Sequence, residues 1–430
     1  MEHATEIIKH KKNVCYVLHA TCYMLDDMFG KRRVYMDYAA ATPVHPEVAR
    51  AVAAATKEFF GNPSAPHLEG RLARSAIDEA RGKIAQSFSV KPEELVFTSG
   101  GTEANNIAIQ GLVQGLRNRG AKFSDLHIVT SAMEHSSVLE TVALLEKEGV
   151  LATYLAPDSD GRIRSEAVAS ALRPETVLVT LAHVNGETGV IQPISEIARA
   201  IRSNTTVNCS KILLRIAPEA RFPIFHVDAA QSPLYLDSSP HTLSADLVSY
   251  DAQKILGPKG VGVLYRDFSV PLAAVSGGGS QERNIRPGTE NTPAIVGAGV
   301  AFELAKEGRA AREAGVKKIQ DHLIELAEKA VPEAELIGSR KHRIANNALF
   351  AISGIDGDYL AVLMDKEGVA VTPRSACAGS GGAISDVVLA ITGDSAKAKG
   401  TIRFSLGPEH TRSDCERAVL ALQKCLTILK

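Results

Sequence analysis

The sequence has 430 residues, 45% of them hydrophobic and 23% charged, which is an ordinary globular composition with room for a large core and roughly two or three domains. Its formal net charge of -1 at pH 7 argues against broad electrostatic capture of nucleic acid or of an anionic membrane. No apolar stretch reaches the length of a membrane span, so neither nucleic acid nor membrane is an expected partner.

From Tyr35 onward, short runs rich in β-branched residues alternate with amphipathic helical patterns. The predicted strands are Leu95–Thr98, His127–Ser131, Ala152–Leu155, Val177–Ala182, Pro223–Asp228, Leu247–Tyr250 and Val261–Tyr265. The helical patterns between them include Glu103–Leu116, Ser137–Lys147 and Ile194–Arg202. This alternation predicts an α/β fold with a mostly parallel, seven-stranded sheet that carries helices on both faces.

The pattern changes near residue 291. Two more strand patterns and two long helical patterns follow, at Leu349–Ile352, Thr401–Ser405, Arg312–Lys329 and Arg412–Leu429. We therefore expect a large domain over residues 35–290 and a smaller α+β domain over residues 291–430. Residues 35–50 belong to the large domain in sequence, but packing against the smaller domain is an alternative for them.

Two segments stand outside this organisation. Residues 1–34 form an extension of unknown role, whose apolar part, Asn13–Leu25, is short and lacks a convincing signal-peptide cleavage site. The extension is either a poorly ordered or mis-started segment, with Met28 or Met36 as the true start, or a packed appendage specific to a family. Asn204–Arg221 is longer than the usual connection between a helix and a strand, which predicts an irregular surface insertion.

The cysteines indicate a reducing, cytoplasmic setting without a resident metal site. They are too sparse and irregular for a disulfide framework, and no pair has the CxxC spacing of a zinc site. Their positions are Cys15, Cys22, Cys209, Cys377, Cys415 and Cys425. The last two fall on a helical pattern, where a free cysteine usually serves as a small buried hydrophobe.

Lys254 and Asp228 suggest the chemistry. Lys254 follows the apolar run that ends at Tyr250 and precedes a Gly/Pro turn, and Asp228 ends the preceding predicted strand. A lysine amine can form a Schiff base with pyridoxal phosphate, and a carboxylate can keep the pyridine nitrogen protonated so that the ring accepts electrons. This pair is a moderate signal when taken by itself, because most lysines are solvated surface charges.

Other candidate residues also follow predicted strands. Gly101 and Thr102 stand at a glycine-rich helix start, which predicts a phosphate cradle, although a plain capped helix has the same pattern. His135 could stack on a ring and move protons. Asn185 could bond a ring oxygen or a substrate carboxylate, although Asn-Gly is also a strong turn signal. Because all of them fall at one edge of the predicted sheet, the functional interpretation is favoured.

Taken together, these motifs resemble those of the cysteine desulfurases, which are class V aminotransferases with the type I fold of pyridoxal phosphate enzymes. The resemblance runs in order from Tyr35 to near the C terminus. It rests on Tyr35–Pro43, Phe60–Ser64, Ser99–Asn106, Met133–His135, His183–Gly189, His226–Gln231, Gly277–Thr289, Ser375–Cys377 and Arg403–Gly407. The Ser-Ala-Cys segment is similar to the branch that serves nitrogen fixation and housekeeping iron–sulfur assembly.

The resemblance implies cofactor roles, position by position. The cofactor-binding residues would be Gly101, Thr102, His135, Asn185, Asp228, Gln231, Gln253, Lys254 and Thr289. Lys254 would carry the cofactor, Asp228 would contact the pyridine nitrogen, and Gln231 would contact the ring hydroxyl. His135 would stack on the ring and move protons, and Thr289 would reach the phosphate from a neighbouring subunit.

The resemblance also implies how substrate is handled. Arg403, supported by Asn185 and Asn62, would clamp the substrate carboxylate, because a guanidinium fork meets both carboxylate oxygens. Cys377 would attack the substrate sulfur as a thiolate and become a persulfide. Its small, Gly-rich surroundings suit a mobile loop, and Arg374 could stabilise the thiolate. With a scaffold partner, Cys377 could also ligate iron transiently.

One segment departs from the family pattern. Where the family usually has Ser-Gly-His-Lys, this chain has Asp251-Ala252-Gln253-Lys254. The missing serine and histidine normally help to hold the cofactor phosphate, and an aspartate would repel that dianion. We expect Asp251 to point aside and the enzyme to remain active.

The resemblance therefore implies a homodimeric pyridoxal phosphate enzyme that converts L-cysteine to L-alanine and passes the sulfur to an iron–sulfur scaffold or a tRNA-thiolation protein. Two alternatives stay open. A selenocysteine lyase or another class V aminotransferase would share the fold and the cofactor. A non-catalytic, degenerate partner protein would explain Asp251 and Gln253.

Overall fold

The computed structural model describes residues 33–208, 210–374 and 384–429. Residues 1–32 of the predicted extension lie outside this range, and so does Cys377. Within the described ranges, no helix is both long enough and apolar enough to cross a membrane.

Strands and helices alternate along the described chain. The strands are β1 (Val34–Tyr35), β2 (Leu95–Thr98), β3 (His127–Ser131), β4 (Leu151–Leu155), β5 (Thr176–Ala182), β6 (Ile224–Asp228), β7 (Leu247–Asp251), β8 (Gly262–Arg266), β9 (Glu335–Leu336), β10 (Asn347–Ala351), β11 (Val369–Ala370) and β12 (Thr401–Ser405). The helices are α1 (Pro46–Glu58), α2 (Leu68–Phe88), α3 (Gly101–Asn118), α4 (Ser136–Lys147), α5 (Ser165–Ala171), α6 (Ile194–Asn208), α7 (Lys211–Ile216), α8 (Pro240–Leu243), α9 (Thr292–Lys306), α10 (Arg309–Ala330), α11 (Gly357–Lys366), α12 (Asp386–Thr392), α13 (Ser395–Lys399) and α14 (Arg412–Leu429). Shorter turns are the 3-10 turns Pro92–Glu94, Phe123–Asp125 and Ala252–Lys254 and a left-handed turn at Gln281–Asn284.

The large sheet has seven strands in the order β2-β8-β7-β6-β5-β3-β4. Its pairs are parallel, except that β8 runs antiparallel to both of its neighbours, β2 and β7. β2 therefore points the same way as β7, and the carboxyl ends of β2, β3, β5, β6 and β7 meet at one edge. The predicted α/β fold with a mostly parallel seven-stranded sheet is confirmed.

Alternate residues of the large sheet face two different cores. Ile128 and Leu247 belong to one hydrophobic cluster, whereas Val129 and Val248 belong to the other. This follows from the two-residue period of a strand, which turns neighbouring side chains to opposite faces. Helices cover both faces, which explains why the central strands are nearly continuous runs of apolar residues.

The second sheet is smaller and antiparallel, with the order β12-β10-β9. A separate parallel pair joins the start of the described chain to this region, because Val34 of β1 lies opposite Val369 of β11. Just after β1, Tyr38 N donates to Ser405 O of β12 at 3.3 Å. Helix α9 packs against α1 and α2. The domain boundaries given above stay a prediction.

The predicted insertion at Asn204–Arg221 is wrong as an irregular segment. Helix α6 extends to Asn208, and α7 follows almost at once. Ser210 caps α7 by accepting a hydrogen bond from Leu213 N at 3.3 Å, and the Leu213 side chain is fully buried. A helix of six residues is too short to show a helical period in the sequence, which is why the prediction missed it.

Candidate active site

A cavity of about 560 Å³ lies at the carboxyl edge of the large sheet. Most of the predicted site residues line it, namely Gly101, Thr102, His135, Asn185, Asp228, Gln231, Gln253, Lys254 and Arg403. Asn62 and Thr289 do not line it within a single chain, and both are exposed. The Asn62 side chain instead accepts a hydrogen bond from Ser64 N at 2.9 Å in a local turn.

Lys254 lies in the 3-10 turn that follows β7, directly at the sheet edge. Its Nζ donates to Ala39 O at 2.7 Å and to Ala40 O at 2.6 Å. Both carbonyls belong to the segment just after β1, so a part of the chain that is distant in sequence supplies two acceptors for the amine. Gln231 joins the same group, because its Nε2 donates to Ala39 O at 3.0 Å.

Asp228 ends β6 and has both carboxylate oxygens bonded. Oδ1 accepts from Ala230 N at 3.0 Å, and Oδ2 accepts from Asn105 Nδ2 at 2.8 Å. Asn105 also donates to Ser137 Oγ at 2.9 Å, while its buried Oδ1 accepts no hydrogen bond from the described residues. Sequence reasoning gave Asn105 no role, although its spacing from Thr102 places both on one face of α3.

His135 caps the start of α4. Its Nδ1 accepts from Ser137 N at 3.1 Å, so the neutral ring carries its proton on Nε2. Asn185 is buried in the turn after β5, where its Oδ1 accepts from Thr188 N at 2.9 Å and its Nδ2 donates to Met133 O at 2.8 Å. The predicted turn chemistry is therefore present, and one hydrogen of the Asn185 amide is already used.

Glu134 is a buried carboxyl in the cavity wall that sequence reasoning gave no role. Oε1 accepts from Ser131 Oγ at 2.6 Å, and Oε2 accepts from Ala182 N at 2.8 Å. Burial raises the pKa of Glu134 to about 8, and the charge of Asp228 acts in the same direction. Burial therefore favours the protonated form of this carboxyl. The sequence signal that could have indicated this site was a charged residue shortly after a buried strand and next to His135.

Arg403 brings the small sheet to the cavity. It lies in β12 and is 2% exposed, with Nη1 donating to Gly186 O at 2.8 Å. Nη2 donates to Asp37 Oδ1 at 2.9 Å and to Thr372 Oγ1 at 3.0 Å. The Nε atom is buried and bonds none of the described residues. Of the five guanidinium hydrogens, three are used in these bonds, and one on Nε and one on Nη1 remain.

The prediction that Asp251 points aside is wrong. The side chain is buried, and its Oδ2 accepts from Gly101 N at 3.2 Å and from Gln253 Nε2 at 2.9 Å. The unpaired N–H groups and the positive dipole end of α3 attract the carboxylate. Glycine at 262 lets the backbone before α3 lie close to β8, because a Cβ there would lie 2.7 Å from Gly100 Cα.

Similarities to known proteins agree with this geometry. Residues 34–418 match the family model described as aminotransferase class-V. A protein named cysteine desulfurase IscS from Dictyoglomus turgidum is 39% identical over 400 residues, which cover 93% of this chain and 96% of that protein.

Solved structures give the same result. A NifS-like protein superimposes with a TM-score of 0.82 at 29% identity, covering 92% of this chain and all of that one. A structure described as SspA in complex with cysteine has a TM-score of 0.71 at 33% identity and covers 88% of this chain and all of that one. The chain therefore belongs to the class V aminotransferases and, within them, to the pyridoxal phosphate-dependent cysteine desulfurases.

Proposed function

We propose that this chain converts L-cysteine to L-alanine and transfers the sulfur to Cys377 as a persulfide. The observation that carries the proposal is that Lys254, Asp228 and Arg403 line one cavity. These residues supply an amine for the cofactor aldehyde, an acid for its ring nitrogen and a cation for the substrate carboxylate. Such a cavity also has the size of small-molecule sites.

The ring end of the cavity fits pyridoxal phosphate. When bound, this cofactor supplies an electron sink for the carbanion that forms when a substrate loses its α-proton. Asp228 is fixed by Asn105 and Ala230, and the unused Oδ1 of Asn105 provides a further acceptor nearby. Lys254 would hold the aldehyde carbon. The phosphate end differs, because Asp251 already bonds Gly101 N.

The substrate end is formed by the small sheet. Arg403 would hold the cysteine carboxylate through its charge and an unused hydrogen of Nη1 or Nε, while Asp37 and Thr372 hold Nη2 in place. Lys254 would move the α-proton. His135 would donate a proton from Nε2, since its Nδ1 is fixed by Ser137 N.

Sulfur transfer is assigned to Cys377, which lies outside the described residues, so its role rests on the sequence. The Cys377 thiolate would attack the substrate sulfur, and the substrate C–S bond would break with its electron pair left on the substrate. The β-carbon would then take one proton and the α-carbon would regain the one that was removed, which gives alanine. No external oxidant or reductant is required, because the sulfur atom passes intact to the enzyme thiol. After this segment, Ser385 donates to Glu187 Oε2 at 2.6 Å, and both residues line the cavity.

We further propose a homodimer that passes the persulfide sulfur to an iron–sulfur scaffold or a tRNA-thiolation protein in the cytoplasm. The exposed position of Thr289 supports a dimer, because the residue matched to a phosphate contact lies outside the cavity of its own chain. Asn62 is exposed as well, so its support of Arg403 is proposed only across such a contact.

The test is release of alanine and sulfide from L-cysteine, with and without added pyridoxal phosphate. Lys254→Ala should abolish both products and the visible absorbance of bound cofactor, whereas Lys259→Ala, at an exposed lysine nearby, should retain them. Cys377→Ser should abolish sulfide release from cysteine. Cys22→Ser is its matched control, because it makes the same change before the region that resembles the family.

The same variants separate the alternatives. A selenocysteine lyase would keep most of its turnover of selenocysteine in Cys377→Ser. A degenerate partner protein would stay colourless with excess cofactor. Unchanged release of sulfide from cysteine in Cys377→Ser, or a protein that stays colourless, would contradict the proposed desulfurase.

A further inference from the structure

The Asp251 carboxylate lies at the start of α3, where a helix can bind an external anion. Its Oδ2 accepts from Gly101 N, which belongs to the first turn of an 18-residue helix, and from Gln253 Nε2. Its Oδ1 accepts from Gln253 N at 3.1 Å. The carboxylate is 6% exposed and lies in the wall of the catalytic cavity. All the hydrogen-bond donors named here are therefore directed at one internal negative charge.

Local structure accounts for only part of this arrangement. The bond from Gln253 N to Oδ1 is an ordinary cap of the 3-10 turn that carries Lys254. Such a cap does not require Oδ2 to reach Gly101, which lies 150 positions away in sequence. The second oxygen meets the backbone N–H of a glycine-started helix, which is the arrangement that phosphates use in proteins.

The same donors are the ones that a cofactor phosphate would need. Sequence resemblance assigns Gly101 to the phosphate, and Gln253 stands where the family has a histidine that helps to hold it; both are bonded to Asp251. A phosphate carries negative charge, and two anions a few ångströms apart repel strongly in a partly buried site. A phosphate that bonds Gly101 N must therefore displace the Asp251 carboxylate.

We propose that Asp251 is an internal competitor for the phosphate end of the cofactor site. Cofactor binding is a displacement, in which the carboxylate gives up Gly101 N and Gln253 Nε2 to the incoming phosphate. The cofactor-free chain is stabilised by the same contacts, so this enzyme holds pyridoxal phosphate less tightly than a chain with serine at position 251. The inference rests on the proposed use of that cofactor.

The experiment compares two ligands that differ only in the phosphate. The full chain is freed of cofactor and titrated with pyridoxal phosphate and with pyridoxal, and binding is followed by absorbance. Asp251→Ser and the isosteric Asp251→Asn should lower the Kd for pyridoxal phosphate about tenfold or more, because a like charge is removed. The Kd for pyridoxal should stay close to that of the wild type.

Asp386→Asn is the matched control. It removes one negative charge from the cavity wall at an exposed position in the first turn of α12. The ratio of the two Kd values should not change in this variant. A ratio that is also unchanged in both Asp251 variants would overturn the inference. If no chain shows absorbance that depends on Lys254, the proposed function fails instead.

A second readout requires no cofactor. Inorganic phosphate should raise the thermal unfolding temperature of cofactor-free Asp251→Ser, because the anion can occupy the vacated donors. It should not raise that of the wild type, whose own carboxylate holds them. Without phosphate, Asp251→Ser should unfold at a lower temperature than the wild type. Equal stabilisation of both chains by phosphate would overturn the inference.

Discussion

Arg403 Nη2 lies 2.9 Å from Asp37 Oδ1, so the buried guanidinium of the cavity is already paired with a carboxylate. Asp37 belongs to the same segment as Ala39 and Ala40, whose carbonyls bond Lys254. The proposed substrate clamp and the proposed cofactor amine are therefore positioned by one short stretch of chain. A substrate carboxylate would join an existing ion pair instead of meeting an isolated cation.

Arg403→Lys should raise the KM for L-cysteine about tenfold or more, with a smaller change in kcat. An ammonium cannot contact Asp37, Gly186 O and a substrate carboxylate in the geometry of a planar fork. The measurement is steady-state alanine release, and the absorbance of bound cofactor should be retained. Arg340→Lys, at an exposed ion pair with Glu328, is the control. An unchanged KM would contradict the assigned clamp.

Glu134→Gln should flatten the pH dependence of stability. Burial raises the pKa of Glu134 to about 8 from its ordinary value of 4.5. The native state therefore holds a proton that the unfolded state releases, so the stabilisation is fully present below the unfolded pKa and is lost as the pH rises through the folded one. The wild type should lose up to about 1.4 kcal/mol per pH unit across this window relative to the variant.

Denaturant unfolding of the cofactor-free chains, at intervals between about pH 5 and pH 8, measures this difference. Glutamine keeps the shape of the side chain and can still accept from Ala182 N. Glu140→Gln, at an exposed position of α4, should follow the wild-type profile. Parallel profiles for wild type and Glu134→Gln would show that Glu134 does not hold the proton.

Asn105→Ala should weaken cofactor binding about tenfold, because Asp228 Oδ2 loses its side-chain donor. Hydrogen bonds to charged groups contribute about 1.5–3 kcal/mol, and the loss leaves the Asp228 carboxylate less well oriented. Asn105→Asp should be worse, since it places a like charge 2.8 Å from that oxygen in the geometry of the native contact. Equilibrium titration with pyridoxal phosphate measures both, with exposed Asn118→Ala as the control. Equal affinity in all chains would contradict this role.

Cys415 and Cys425 should resist thiol reagents in the native protein. Both are fully buried, and burial raises the pKa of Cys415 to about 12 and that of Cys425 to about 11. The thiolate is the reactive form of cysteine, so these two buried thiols should react slowly. Of the six cysteines in the chain, at most four should therefore react quickly. A colorimetric thiol titration before and after denaturation counts them. Five or more fast thiols in the native state would contradict the packing of α14.

The sequence was sufficient to predict the large sheet and most of the residues that line the cavity. Strands such as β3 and β7 are buried on both faces, so they read as continuous buried runs. The shared direction of β6 and β7 brings Asp228 and Lys254 to one edge. The buried state of Cys415 and Cys425, which the helical pattern predicted, is confirmed.

Single side chains were harder to predict. No hydrophobic periodicity in the sequence marks Asn105 or Glu134. The importance of each depends on the residues that lie beside it in the folded cavity. The orientation of Asp251 was predicted wrongly, because it is decided by Gly101 N, a donor 150 positions away. The short helix α7 was missed because it depends on one cap and one buried leucine.

The pairing of β1 with β11 has a consequence for any attempt to perturb the small sheet. Met36 N donates to Ala370 O at 2.8 Å, and Ala39 N donates to Ser405 Oγ at 2.9 Å, a few residues before the backbone oxygens that receive the Lys254 ammonium. A shift of β11 or β12 should therefore move the main chain whose carbonyls bond the amine. The absorbance of a bound vitamin B6 chromophore should then report changes made in the small sheet.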